Sequence, residues 1–242
     1  MNRSDSDRIN DFFAAGSRDL TPASARPAAH VLYSPISADP EVSRLWASVL
    51  SDAELQRADR FAAEDDKAQF EQRRAFRRFC GATALGSSQS LSEIVFEETE
   101  NGRPFLSESP DCCFSFSSCR FGVIGAWSST HAIGVDVEDH TKELEATELA
   151  QQFFSVAEVK AVEAAAASNR LLIFYQLWTL KEAALKSIGE GLPFGLDAFE
   201  FELGPRLRVA HAPPDHGGPE RFNAYVIEGT DACAALVIRS ST

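Results

Sequence analysis

Residues 170–188, RLLIFYQLWTLKEAALKSI, read as one helix that stops at Gly189, because glycine closes helices by taking the left-handed conformation without steric cost. So many apolar positions oblige this helix to pack on other elements. Strand-like runs stand on both sides of it. HVLYSPI (30–36), EIVFEET (93–99), CCFSFSS (112–118), FGVIGAWS (121–128) and AIGVDVED (132–139) precede it, and AFEFEL (198–203), LRVAHA (207–212), FNAYVIEG (222–229) and DACAALVIR (231–239) follow. The segment ENGRPF (100–105) holds an Asn-Gly pair, a strong turn signal.

Two further helices announce their starts. Ser51 and Glu54 form an S-x-x-E capping box ahead of a helix-rich segment, 52–85, that ends at Gly86. Ser155 and Glu158 form a second box opening a helix within 153–167. Strands and helices thus recur in both halves, which predicts an α+β chain of two similar-sized subdomains. The expected division is a polar, flexible lead-in over 1–28, an N-terminal subdomain over 29–130 and a C-terminal subdomain over 131–242.

Composition narrows the function. With 44% hydrophobic and 24% charged residues the chain has the balance of a soluble globular protein. It has no apolar run of the roughly 18–20 residues that a membrane span needs, and its first twenty residues lack the apolar stretch of a secretory leader. A cytoplasmic protein without membrane contact is the expectation. A formal charge of −13 argues against nucleic acid as a partner. The five cysteines show no CxxC spacing, which favours reduced structural thiols over a zinc site.

Two short stretches carry chemistry. In GVDVE, Asp136 and Glu138 are two apart on a strand, so both carboxylates leave the same face. Like charges that close repel unless water or a cation separates them, and hard divalent cations take such oxygen ligands. In WTLKEAALK, Trp178, Glu182 and Lys186 are spaced four apart and share one side of the helix, with Lys181 turned about 100° from Glu182. Taken singly, a solvated strand edge and a surface Glu–Lys pair would explain each stretch. Together they offer three carboxylates and two ammonium groups, a site suited to a metal-bound phosphate ester.

GVDVE followed about forty residues later by WTLKEAALK resembles the paired signature of the 4′-phosphopantetheinyl transferases, and FFSVAE between them and the overall length resemble the Sfp-type branch. The likeness runs from about residue 30 to 203. It implies two pseudo-symmetric α/β halves, each a small antiparallel sheet with a long helix, around an active-site cleft. It implies transfer of phosphopantetheine from coenzyme A to a serine of an apo acyl or peptidyl carrier protein, releasing adenosine 3′,5′-bisphosphate, by a monomeric enzyme. By matching position, Asp136, Glu138 and Glu182 would hold Mg²⁺. Glu182, or a water it orients, would help deprotonate the serine, and Lys186 would neutralise phosphate charge, with Lys181 a second ammonium group for coenzyme A. Glu158 matches a glutamate near the reacting centre, although its capping box needs no catalysis. Arg74 and Arg78 match arginines of the family, and Arg103 in GRP stands where GKP is usual.

The likeness also breaks. Where the family usually has an ISHS-like stretch that helps bind coenzyme A, this chain has FSSC. Ser117 matches the first serine, but Ser118 replaces the histidine and cannot carry its charge. Glu64 and Asp65 stand where a Lys or Arg is usual. Losing one charged contact costs roughly 1.5–3 kcal/mol, so the expectation is an active enzyme with weakened or rearranged coenzyme A binding. Two rivals remain in view: a non-catalytic homologue that binds a carrier protein or nucleotide, and a metal-dependent nucleotide hydrolase, which lacks a GxxxxGK[ST] or HExxH motif to support it.

Overall fold

The computed structural model describes residues 4–37 and 39–240; residues 1–3 of the expected lead-in and 241–242 of the expected C-terminal subdomain lie outside them. The chain forms α1 (Asp5–Gly16), β1 (Arg18–Asp19), β2 (His30–Pro35), α2 (Pro40–Trp46), α3 (Asp52–Ala58), α4 (Glu64–Leu85), β3 (Phe96–Glu98), β4 (Pro104–Leu106), β5 (Cys113–Ser118), β6 (Gly122–Ser128) and β7 (Ala132–Glu138). It continues with α5 (Ala146–Phe153), α6 (Val156–Ala164), α7 (Ala167–Ile188), β8 (Glu200–Glu202), β9 (Arg208–His211), β10 (Phe222–Val226) and β11 (Cys233–Arg239).

This is a mixed α/β fold of small antiparallel sheets. One has the order β1-β2-β6-β5 and another β10-β11-β7, while β3-β4 and β8-β9 are separate hairpins. Strand alternation gives each large sheet two apolar faces. Val31, Tyr33, Ile124 and Ala126 from the first sheet meet Ile133, Val135, Val137, Leu236 and Ile238 from the second in one shared core. The opposite face of the first sheet is covered by α4 and α1, through Phe76, Cys80, Val123, Phe114 and Phe13. The opposite face of the second is covered by α7, through Leu177, Leu180, Ala184, Ala235 and Val237. Both long helices end on a glycine in the left-handed conformation, Gly86 at φ 59° and Gly189 at φ 79°.

One expectation about the first half needs correction. The segment 1–28 is not a lead-in where it is described: α1 is capped by Ser4, whose hydroxyl accepts from the Asp7 amide. Ile9 and Phe13 are fully buried, with Phe13 stacked on Trp46 at 5.2 Å. The signal was Ile9, Phe12 and Phe13 at helical spacing inside an otherwise polar stretch. The helix-rich segment 52–85 is divided into two helices. Arg78 Nη2 lies 2.6 Å from Glu54 Oε2, whereas one continuous helix would hold residues 54 and 78 roughly 36 Å apart. The chain reverses between Asp59 and Ala63 so that α3 folds back on α4. Helix α5, ahead of the Ser155 capping box, was also not foreseen.

All five cysteines are free, and all but the half-buried Cys113 are buried. No helix among the described residues is long and apolar enough to cross a membrane.

Candidate active site

The site begins with a glycine. Gly134 sits on the face of β7 that α7 covers, and a Cβ there would fall on the Ala183 carbonyl oxygen and within 2.6 Å of the Ser187 nitrogen. Helix α7 therefore lies directly on the strand backbone at this point. The same face of β7 carries Asp136 and Glu138, two and four residues on. The helix brings Glu182 and Lys186, on either side of the Ala183 contact, down to those carboxylates. The opposite face of β7, with Ile133, Val135 and Val137, is committed to the core between the sheets.

Asp136 is 3% exposed. Lys186 Nζ donates to its Oδ1 at 2.6 Å and to the Val135 carbonyl at 3.2 Å. Ser117 Oγ donates to the same Oδ1 at 2.7 Å. The second oxygen, Oδ2, is buried without a hydrogen-bond partner. Leaving a buried acceptor unpaired costs about 1–3 kcal/mol, so a fold selected only for stability would place an apolar residue here. Burial pushes the Glu138 carboxyl up to about 7, and repulsion from Asp136 and Glu182 adds to it against the pull of Lys142 and Lys186. Burial raises Glu182 as well, followed by Asp136, with Lys186 opposing. Three carboxylates thus feel one another across the β7–α7 contact, and Lys186 answers only part of their charge.

The two large sheets meet here. β5 and β7 are edge strands of different sheets, and serine side chains join them: Ser115 Oγ accepts from the Val135 amide at 3.0 Å, and Ser117 reaches Asp136. A cavity of about 240 Å³ opens beside this seam, lined by Arg77, Arg103, Phe116, Glu182, Lys186 and Glu190 among others. Arg103 is carried on the turn after β3, which Asn101 ties to the end of α7 by donating to the Gly189 carbonyl at 3.2 Å. Its Nη2 is buried and unpartnered. One wall of the cavity thus presents Lys186 beside carboxylates, and other walls present two guanidinium groups.

Comparison with known proteins gives this arrangement its relatives. The sequence profile of the 4′-phosphopantetheinyl transferase superfamily matches residues 132–237, the span holding GVDVE and WTLKEAALK. The 4′-phosphopantetheinyl transferase Sfp of Bacillus subtilis (strain 168) is 34% identical over 57% of this chain and 60% of its own length. The 4′-phosphopantetheinyl transferase psf-1 of Bacillus pumilus is 29% identical over 57% of this chain and 58% of its own. The match to these two thus spans about three-fifths of their length. A phosphopantetheinyl transferase of Thraustochytrium sp. (strain ATCC 26185 / S-3) is 30% identical over 76% of this chain and 68% of its own length. The chain belongs to the 4′-phosphopantetheinyl transferase superfamily.

Not every residue that the transferase likeness singled out reaches the cleft. Lys181 is fully buried. Its Nζ lies 2.7 Å from Glu158 Oε2 and donates to the Leu196 carbonyl at 3.0 Å and to the Phe199 carbonyl. Glu158 is equally enclosed, accepting from the Ser155 amide at 2.9 Å and the Phe201 amide at 2.9 Å. The pair pins α6, α7 and the segment 196–201 together, and no donor or acceptor is left over for substrate. Neither side chain lines the cavity, whereas coenzyme A binding was the expectation for Lys181 and catalysis beside a capping box was that for Glu158; the capping box is present in full. Trp178, one turn before Glu182, seats α7 among Phe153, Phe154 and Phe174, with ring centroids 5.9, 6.4 and 5.7 Å away.

Arg78 and Arg74 are likewise engaged elsewhere. Arg78 holds Glu54, and Arg74 lies between Glu54 at 3.6 Å and Glu98 at 3.8 Å. The arginine that α4 gives to the cavity is Arg77, one position from Arg78 and so on a different helix face. Ser117 spends its proton on Asp136, and Ser118, next along β5, leaves on the other face of the strand. Glu64 and Asp65 line a different pocket, of about 660 Å³, between α2 and the start of α4, and not the cavity beside Glu182 and Lys186.

Magnesium was the expected metal. Among the described residues, no group of three His, Cys, Asp or Glu side chains is arranged to hold an ion, and the Lys186 ammonium lies on Asp136 Oδ1. The donors fit in kind nonetheless: hard oxygens, one of them orphaned and buried, in a mutually repelling set that a divalent cation would relieve.

Proposed function

We propose that this chain transfers 4′-phosphopantetheine from coenzyme A to a serine hydroxyl of an apo acyl or peptidyl carrier protein. The observation that carries the reading is the β7–α7 junction, where Lys186 pairs with Asp136 near Glu138 and Glu182, beside a cavity that Glu182 and Lys186 line together with Arg77, Arg103 and Glu190. Membership in the transferase superfamily supports it. So does the packing of a 22-residue helix on each large sheet, α4 on the first and α7 on the second; on this reading the two form pseudo-symmetric halves with the cleft between them.

Phosphoryl transfer depends on positioning and on neutralising charge, which this site is built to do. Arg103 and Lys186 bind the diphosphate of coenzyme A. Glu182, whose carboxylate burial makes more basic, accepts the serine proton, directly or through a water. The serine oxygen forms a bond to the β-phosphorus as the bond to the departing adenosine 3′,5′-bisphosphate breaks, and Lys186 faces the charge that grows on the leaving oxygens. Asp136, Glu138 and Glu182 are the residues that would hold Mg²⁺, which when bound adds Lewis-acid stabilisation of the diphosphate. Ser117 keeps Asp136 oriented through its hydrogen bond. The enzyme acts as a monomer in the cytoplasm on this reading.

The test is mass spectrometry of an apo carrier protein incubated with the full chain, coenzyme A and Mg²⁺. A mass gain equal to phosphopantetheine, lost in Asp136→Ala and Glu182→Ala, supports transfer. Carrier binding without a mass gain would favour a non-catalytic homologue, and release of inorganic phosphate from nucleotides without carrier would favour a hydrolase.

A further inference from the structure

The cleft contains a third cation that neither motif announces. Arg77 leaves α4 into the same cavity as Arg103 and Lys186. Its Cζ lies 5.3 Å over the Phe116 ring, itself stacked on Phe114 at 6.2 Å, so the guanidinium rests on an aromatic shelf at the cavity wall. Burial draws the Arg77 pKa down to about 10, with neighbouring Arg74 adding to the effect and Glu98 opposing it. The cation is therefore under-solvated but still charged.

Its present partner is a poor match. Nη1 reaches Glu98 Oε1 at 3.5 Å, and the same oxygen lies 3.8 Å from Arg74 Nη1. One half-exposed carboxylate, 51% accessible, thus serves two guanidinium groups at long range. Exposed pairs of this kind are weak, whereas a guanidinium meeting a phosphate can donate two parallel charge-assisted hydrogen bonds. Arg103, in the same cavity, has a buried Nη2 with no partner.

We infer that Arg77 is a phosphate-binding residue of this cleft, acting with Arg103 and Lys186 on the coenzyme A diphosphate, and that Glu98 is its counter-ion in the free protein, surrendered when the diphosphate enters. The inference rests on the transferase reading and adds a residue that the WTLKEAALK and GVDVE stretches do not contain.

The experiment compares full-length wild type with Arg77→Gln, Arg77→Lys, Glu98→Gln and, as a remote control, Arg208→Gln, whose partner Glu202 lies 2.7 Å away in the β8–β9 hairpin. Calorimetry measures binding of coenzyme A and of inorganic pyrophosphate, and carrier modification gives KM and kcat. Arg77→Gln should weaken both ligands about 10- to 100-fold and raise KM more than it lowers kcat, with Arg77→Lys between it and wild type. Glu98→Gln should tighten coenzyme A by up to about fivefold, and this arm stands even if Arg77→Gln does not fold. Arg208→Gln should match wild type. If wild type modifies a carrier while folded Arg77→Gln binds both ligands as wild type does, or Glu98→Gln leaves binding unchanged, the assignment of Arg77 is overturned and the transferase reading stands. If wild type binds neither ligand and modifies no carrier, both fall together.

Discussion

Gly134 of β7 lies directly beneath Ala183 of α7, with no room for a side chain between strand and helix. Both Asp136 and Lys186 owe their meeting to this contact, since each is only a few residues from it. Gly134→Val should lift α7 and cost about 3 kcal/mol or more, the upper range for overpacking a close-packed seam. Urea unfolding would register it as a lower midpoint, and the residual folded protein should transfer poorly because Glu182 and Lys186 move with the helix. An unchanged midpoint would mean that the helix is not seated there.

Asp136→Asn should separate function from folding. The substitution keeps the shape but removes the charge that Lys186 and Ser117 face and relieves repulsion on Glu138 and Glu182. Carrier modification should drop by about 100-fold or more, the scale of losing one electrostatic element of a transfer site, while the thermal midpoint holds or rises. A midpoint that falls in step with activity would reassign Asp136 to folding.

Lys181 and Glu158 invert that pattern. Their ion pair is fully enclosed, with every polar atom used. Lys181→Met strands a buried carboxylate and should cost about 3–5 kcal/mol. Adding Glu158→Gln, which can keep the cap, should return roughly 1 kcal/mol or more through the coupling of the two sites. The KM for coenzyme A in the folded fraction should not move; a raised KM with intact stability would restore Lys181 to the substrate.

Glu54 gives the chain an acid-sensitive fastening between α3 and α4. Burial would raise its pKa, but hydrogen bonds from Arg78 and the Ser51 amide, with the charges of Arg78 and Arg74, outweigh this and hold it below the ordinary 4.5. A carboxyl held low stabilises the fold fully above its unfolded pKa and loses that contribution as pH falls through the folded value. Glu54→Gln should therefore flatten the decline in stability below about pH 4.5, as followed by circular dichroism. At neutral pH it should cost roughly 1.5–3 kcal/mol, because Arg78, 7% exposed, loses its charged partner. An identical acid limb in the variant would remove Glu54 from the account.

Local pattern alone determined a good deal of this protein. Alternation placed Asp136 and Glu138 on one face of β7, capping chemistry marked Ser51 and Ser155, and Gly189 marked the end of α7, all because periodicity and helix termini are set by residues within a few positions of one another. The two motifs in order were enough to suggest the transferase family. Only the tertiary structure decided which charges face the cleft. Lys181 and Lys186 are alike in sequence, but the five-position step between them turns one into the core against Glu158 and the other toward Asp136. Arg77 and Arg78 are neighbours, yet only Arg77 meets the cavity, since Glu54 returns on α3 to claim Arg78. Those outcomes depend on partners 23 to 50 residues away, and a charge buried by folding goes wherever a distant group can satisfy it.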